Sequence, residues 1–471
     1  MATRGLVRHK LSIFLKIFPI APVVIAPVVI APAVVAQEYE DPFLDTSSQV
    51  TPSADSLGDT LANTISWGFD ISVIAYYQQN SVRKDQYFNP GNLVFLADES
   101  QLALDLSGQL SAGPHLSAYT RVALVEDYQV DDAGDTSDEF NIYVLEGYLS
   151  SYTSSRRFGV NVGRIKPQWS NGYNWSPANL LKPVYDRPNL DSDDLTQQQG
   201  WDMAHLDLRY GDWNVGLYAA EVEDTLDRNL DGPFTDSDLQ YAIVLNREGD
   251  LDTRLVIHQL EGGEVNAALG LSTLARDNIT LRFEGAWEQQ RELPLASDIQ
   301  YTNLQDRGYL KAVLGAQMSL NDGWDITAEY LYNEHGYEAE EWDQLIGQVD
   351  LAQLNLIELK FSQLGLQSTE AYTAFNFLVD SYDLLSMGQL RREYLFFMWG
   401  NTRVERKFQY RQSVQYNVDD QSQYHNLEFI QNWTEHFSTR VQAQLFTGCG
   451  SCEFGLIPSQ NLFRLSFYYD F

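Results

Sequence analysis

Between residues 64 and 471, apolar and polar positions alternate in runs of about ten residues. A period of two belongs to β-strands with one greasy face and one wet face. The first run sets Trp67, Phe69, Ile71, Val73, Ala75 and Tyr77 against Ser66, Gly68, Asp70 and Ser72. The second sets Leu102, Leu104, Leu106 and Leu110 against Asp105, Ser107 and Gln109. Ile279, Leu281, Phe283, Gly285 and Trp287 oppose Thr280, Arg282 and Glu284. The last run, Phe463, Leu465, Phe467, Tyr469 and Phe471 against Arg464, Ser466, Tyr468 and Asp470, ends the sequence on an aromatic.

Turn signals divide these runs with a rhythm. Short turns are expected at 111–114, 151–156, 211–213, 247–250, 275–277, 321–323 and 434–436. Long connections are expected at 78–99, 126–139, 168–200, 223–237, 291–306, 334–388 and 447–460. Such alternation predicts an all-β chain, a single transmembrane antiparallel β-barrel of about 18 strands within a range of about 16–20. The strand number is even, so both ends of the chain lie on the same side. One connection, 334–388, is too long for a plain loop. Trp342, Leu345, Ile346, Val349, Leu354, Ile357 and Phe361 recur at roughly helical spacing. Ile357, Leu359 and Phe361 also alternate with Glu358 and Lys360, and Thr373, Phe375, Phe377 and Val379 lie on one parity, which suits a further hairpin and 20 strands. Both readings stand on the sequence.

The closing run resembles the last strand of bacterial outer-membrane barrels, which ends in Phe. That resemblance implies an outer-membrane location, a lipid-facing belt, and assembly machinery that reads Phe471. Composition agrees with it. Aromatics make up 13% of the 471 residues, with 27 Tyr, as interfacial girdles require. Mean hydropathy is only −0.31, as expected where every second strand residue faces lipid.

The N-terminus reads as an export signal. Arg4, Arg8, Lys10 and Lys16 precede an apolar stretch from Ile17 to Val35, and Val34-Val35-Ala36 supplies small residues before a cut. Pro19, Pro22, Pro27 and Pro32 make that stretch a poor membrane helix. We therefore expect a signal peptide at 1–36, a polar periplasmic extension at 37–63 and the barrel at 64–471. Cleavage would lower Lys+Arg from 31 to 27 against 65 Asp+Glu, a balance that excludes a nucleic-acid partner.

No enzyme or cofactor signature is present: the sequence holds no G-x-S-x-G elbow, H-E-x-x-H or P-loop. Cys449 and Cys452, in the last long connection, point to a small-ring disulfide in an oxidising compartment. Metal ligation is the alternative, though two thiolates fill only half a zinc site. Charge on the inward parity is more telling. The basic residues there are Arg121, Arg209, Arg254, Arg282, Lys311, Lys407, Arg411, Arg440 and Arg464. The acidic ones are Asp70, Asp105, Asp207, Glu284, Glu329, Glu428 and Asp470. A strongly acidic chain thus keeps a comparatively basic lumen, which favours anionic solutes. The alternative is that these opposed charges merely pair.

The stretch 140–191 is the most individual. It carries Glu146-Gly147-Tyr148, then Gly163-Arg164-Ile165-Lys166-Pro167-Gln168-Trp169, then Tyr173-Asn174-Trp175-Ser176-Pro177. These motifs resemble alginate-export-type porins and related uncharacterised barrel families. Ser170 and Ala178-Asn179 depart from that pattern, where a Gly and an acid are usual. Rigid aromatics and prolines beside Lys166 and Arg187 predict an ordered loop that folds inward, with Lys166, Trp169, Tyr173, Trp175 and Arg187 as constriction candidates. A structural loop sealing the rim is the other reading. The chain is therefore expected to be an outer-membrane channel for polar, anionic or saccharide-like solutes. The alternative function is a non-conducting barrel that docks periplasmic transport or envelope-assembly partners.

Overall fold

The computed structural model describes residues 65–82, 98–130, 136–167, 169, 172–181, 195–222, 238–260, 263, 265–289, 291, 293, 308–320, 323–361, 377–378, 384, 389–401, 407–457 and 459–471. The expected signal 1–36 and the extension 37–63 lie outside them.

Eighteen strands follow one another among the described residues. They are β1 (Ile65–Val82), β2 (Asp98–Ala112), β3 (Leu116–Val130), β4 (Thr136–Tyr152), β5 (Phe158–Ile165), β6 (Trp201–Tyr210), β7 (Trp213–Val222), β8 (Asp238–Arg247) and β9 (Leu251–Gln259). The second half comprises β10 (Val265–Arg276), β11 (Ile279–Glu288), β12 (Tyr309–Ser319), β13 (Trp324–Asn333), β14 (Glu393–Asn401), β15 (Phe408–Asn417), β16 (Gln423–Asn432), β17 (Phe437–Thr447) and β18 (Ser459–Asp470). Each strand pairs antiparallel with the next, and β18 pairs with β1 to close the sheet. Closure leaves no sheet edge facing lipid, which is what permits strands in a membrane at all.

The alternation decides what faces where. Trp67, Phe69, Leu110, Ile243, Ile257, Leu269, Leu281, Leu314, Phe397 and Phe463 point outward and are exposed. Their neighbours on the other parity point inward: Gln78, Gln240, His258, Glu284, Glu329, Gln442 and Arg464 are all buried. Apolar outside and polar inside is the inverse of a soluble protein and the pattern of a membrane-spanning barrel. The short connections 113–115, 153–157, 211–212, 248–250, 277–278, 320–323, 402–407 and 433–436 share one end, the periplasmic one by the usual asymmetry of such barrels.

Three connections were not expected: 260–264, 402–407 and 418–422. Two expected loops are shorter than read. β1 runs on to Val82, and β3 and β4 absorb residues 126–130 and 136–139 of the expected acidic loop. The first four strands have 15–18 residues. Beyond the lipid belt their outer face is polar, with Gln79 and Glu126 exposed, so the alternation fades while the strand continues. In β4 a bulge pairs Arg121 with Glu146 but Val122 with Val144. Leu145 is the extra residue, and the outward parity changes from Phe140, Ile142 and Val144 to Leu149.

The long connection before β14 carries a helix, α1 (Ala339–Phe361), across the first half of the expected hairpin, and the strand number among the described residues is 18. Trp342, Leu345, Ile346, Val349 and Ala352 form its buried stripe. Two short elements complete the fold: a 3₁₀ turn, η1 (Leu195–Gln198), and a helix, α2 (Glu453–Leu456).

Leu314, at the middle of β12, is 62% exposed on the outer face. Leu314→Arg should cost the barrel about 2–4 kcal/mol, as cations do near the bilayer midplane. Urea unfolding from lipid vesicles checks this, with Gln109→Arg on the inner face of β2 as the control expected to cost little.

Candidate functional site

Seven small apolar side chains stand inward on β7 to β11 among polar ones: Ala220, Val222, Ala242, Val244, Val256, Ala268 and Ala286. A wall of small side chains leaves room for a chain segment to lie against it. The β5–β6 connection occupies that room. Trp169, Ala178, Leu180 and Leu181 join these residues in one buried cluster. Trp169 meets Tyr218 edge to face, at 4.8 Å between ring centroids. Further along, Tyr173 stacks on Phe396 at 5.9 Å, and Trp175 packs on Tyr394 and Phe396 of β14. At the far end of the connection, Leu195 of η1 packs with Ile74, Ala103, Ala123, Val125 and Leu145 from β1 to β4. One connection thus touches inner walls in three parts of the barrel.

A backbone folded into the lumen needs partners for its N–H groups. Two inward carboxylates supply them. Glu284 of β11 accepts from the N–H of Gly172 at 3.0 Å and of Ala178 at 3.2 Å. Glu329 of β13 accepts from the N–H of Tyr173 at 2.6 Å and of Asn174 at 2.8 Å. Arg254 of β9 donates to the carbonyl of Trp169 and, through Nε, to Asn246 at 2.7 Å. Glu284 and Glu329 were read in the sequence only as inward acids. Their partners are backbone groups, which no side-chain motif announces, and the one signal was an isolated acid on the inward parity of two nearby strands.

The remaining inner wall, from β15 through β18 to β1, is polar. Arg411 and Arg440 both reach Glu428, at 3.5 and 2.7 Å. Arg440 also lies over the ring of Tyr468 at 5.2 Å. Arg464 donates through Nε to Gln78 at 3.0 Å and covers the ring of Tyr76 at 4.3 Å. Ser413, Gln415, Gln442, Gln444 and Ser466 lie among these arginines on the inward parity. Sequence reading set Tyr468, Gln442 and Gln444 on the inward face but singled out none of them, nor Tyr76, because a neutral inward residue carries no mark of its own.

The other candidates are spread around the barrel. Arg121 of β3 grips Asp105 with Nε and Nη2, the latter at 2.6 Å. Arg282 donates to Gln317 at 2.7 Å, and Lys311 is buried on the inner face of β12. Arg209 is exposed at the periplasmic end of β6. Lys166 is exposed at the top of β5, its N–H donating to Glu146 at 3.2 Å. Arg187 lies outside the described residues. Arg164, on the same parity as the outward Phe158 and Val162, forms an ion pair with Asp202 at 2.7 Å where β5 ends and β6 begins. The preceding Gly163 has φ +134°, and a Cβ there would stand 2.2 Å from the carbonyl oxygen of Gly147, so only glycine lets the two strands approach. Cys449 and Cys452 are joined as a disulfide. Phe471 closes the seam, its N–H donating to Ile71 at 3.0 Å.

No family model matches the chain, and no curated protein matches it. Solved structures do. OccAB4 of Acinetobacter baumannii is 9% identical, covers 88% of this chain and 100% of its own, and superposes with a TM-score of 0.50. OprD of Pseudomonas aeruginosa is 11% identical, with 86% and 93% covered and a TM-score of 0.47. Salmonella typhi OmpF, in complex with daunomycin, is 8% identical, with 86% and 97% covered and a TM-score of 0.41. At such identities the likeness speaks for the fold: a closed 18-stranded antiparallel barrel of the Gram-negative outer membrane, built as porins are.

Proposed function

We propose that this barrel is a passive outer-membrane channel for polar solutes, with a preference for those that carry negative charge or sugar-like hydroxyls. The observation that carries this reading is the split inner wall. A folded-in loop covers a patch of alanines and valines on β7 to β11, while β15 to β18 and β1 carry Arg411, Arg440 and Arg464, three guanidinium groups against the one carboxylate of Glu428, among glutamines and serines. Guanidinium groups in a narrow passage with low-dielectric walls focus a positive field. Side-chain amides both donate and accept, which suits hydroxyls. Tyr76 and Tyr468 hold two guanidinium groups flat, as cation–π contacts do. The resemblance of 140–191 to alginate-export-type porins supports a saccharide bearing carboxylates within that class. We further propose that barrel-assembly machinery reads the C-terminal Phe471.

Planar-bilayer recording tests the channel. Ohmic single-channel current is expected, and its absence would favour the non-conducting, partner-docking alternative. In a salt gradient the reversal potential should report anion preference, and Arg440→Glu with Arg464→Glu should move it toward cations. A cation-selective wild type would overturn the basic-lumen argument.

Glu329→Ala should free one end of the constriction loop, since each hydrogen bond to a charged group is worth about 1.5–3 kcal/mol. We expect larger and noisier single-channel currents with unchanged barrel folding, read by gel mobility before and after boiling. Deleting Phe471 should lower outer-membrane levels strongly while leaving the conductance of inserted molecules near that of the wild type. Normal levels of that variant would count against a role in assembly.

A further inference from the structure

Three neighbouring strands end alike on the outer face, at the periplasmic rim. Tyr210 at the foot of β6 pairs with Trp213 at the foot of β7, and Trp213 pairs with Arg247 at the foot of β8. All three are exposed, Tyr210 at 81% and Trp213 at 42%. The next row up on the same parity is Leu208, Val215 and Leu245, and the row above that is Leu206, Leu217 and Ile243. Rows on one face of a strand lie about 7 Å apart. Two aliphatic rows of the lipid belt thus give way, within one step, to a phenol, an indole and a guanidinium. Tyr and Trp of this kind mark the boundary between hydrocarbon and water.

Arg247 lies over the Trp213 ring at 5.7 Å. An indole face fixes a guanidinium without occupying its N–H groups. No carboxylate pairs with Arg247 among the described residues. Its planar fork of donors matches the oxygens of a phosphate, and the Tyr210 hydroxyl is a further donor in the same row.

Two carboxylates stand one step closer to the periplasm. Asp212 is in the β6–β7 turn, and Glu248 directly follows Arg247. The N–H of Glu248 donates to the carbonyl of Asp212 at 3.1 Å, so the two turns run side by side. Both side chains are exposed, and neither forms an ion pair among the described residues. From the belt outward the order is aliphatic rows, then a cation among aromatics, then anions. A zwitterionic glycerophospholipid with a primary ammonium has the complementary order: acyl chains, phosphate, ammonium. We infer that the outer face of β6 to β8 binds the headgroup of a phosphatidylethanolamine from the periplasmic leaflet, with Arg247 and Tyr210 on the phosphate and Asp212 and Glu248 on the ammonium. An acidic phospholipid would offer the same phosphate to Arg247 but no cation to the two carboxylates, which repel its net charge.

Native mass spectrometry of the full chain, extracted from vesicles of equimolar phosphatidylethanolamine and phosphatidylglycerol, tests this without any need for conduction. Retained phosphatidylethanolamine should exceed phosphatidylglycerol by about fivefold, the upper range for an exposed ion pair. Asp212→Asn with Glu248→Gln should keep lipid retention and bring the two lipids to parity. Arg247→Gln should lower the retention of both. Arg276→Gln removes an exposed arginine beside Asp277 at another periplasmic turn, where no ring lies beneath the guanidinium among the described residues, and should change neither readout. Gel mobility before and after boiling should show a folded barrel in every variant, since each altered side chain is exposed. Equal retention of the two lipids by the wild type, a preference that survives the double carboxylate variant, or full retention in Arg247→Gln overturns the site.

Discussion

Everything in this barrel depends on the seam between β1 and β18. Hydrocarbon offers no partner to an unpaired strand edge, so the sheet must close on itself. The seam runs from Ser72 opposite Asp470 to Ser81 opposite Asn461, and a hydrogen bond of 2.6 Å from Ser72 to Asp470 reinforces its lower end. Because side chains alternate, the register chosen there sets what the lumen contains. Slipping β18 by one residue would carry Arg464 into lipid and Phe463 and Leu465 into the pore. The register that keeps Phe463, Phe467 and Tyr469 in the belt is the one that puts Arg464 beside Gln78.

Closure creates a second problem, which is how to narrow the space it encloses. A segment lying inside brings its own peptide groups, and these need partners as strictly as those of the wall. The arrangement found solves both demands with few residues. Alanines and valines on β7 to β11 give the loop a surface to lie on, and Glu284 and Glu329 each take two of its N–H groups. Charge-assisted bonds of this kind are stronger than neutral ones, and they orient the loop as well as hold it. These two acids are turned to the loop's backbone, with Arg254 and Arg282 on neighbouring strands, while Arg440 and Arg464 lie on β17 and β18, in the polar part of the wall that holds Glu428.

Strand parity was legible because lipid enforces it. Where lipid stops, it stopped being legible: β1 to β4 run past the belt with polar outer faces, and their upper parts read as loops. The bulge at Leu145 reverses the parity of β4, so its outward residues, Phe140, Ile142, Val144 and Leu149, follow no single alternation although the strand lies between the expected connections at 126–139 and 151–156. The connections at 260–264 and 418–422 are too short to break the pattern visibly. In 334–388 two periodicities competed. The helical one holds over Ala339–Phe361, where Trp342, Leu345, Ile346 and Val349 bury a continuous stripe. The site was half legible: the arginines carry charge on a known parity, but the glutamate clasps join elements far apart in sequence.

The loops at the outer end are fastened chiefly to one another. Arg291 binds Glu341 of α1 at 2.7 Å, Arg392 binds Glu338 at 2.7 Å, and the Trp342 indole donates to the carbonyl of Ser451 at 2.8 Å. Glu453 then ties α2 to Leu390, Tyr394 and Asn417. Such ties leave few independent ways to move. If α2 leaves its seat, Phe454 leaves the Trp175 cluster with it, and the loop loses part of its support at one end while Trp169 stays anchored on β7 and β9. A closed β-barrel is a rigid frame, so any regulation has to act on what the frame holds, and here the outer loops and the folded-in β5–β6 connection share the wall of β14.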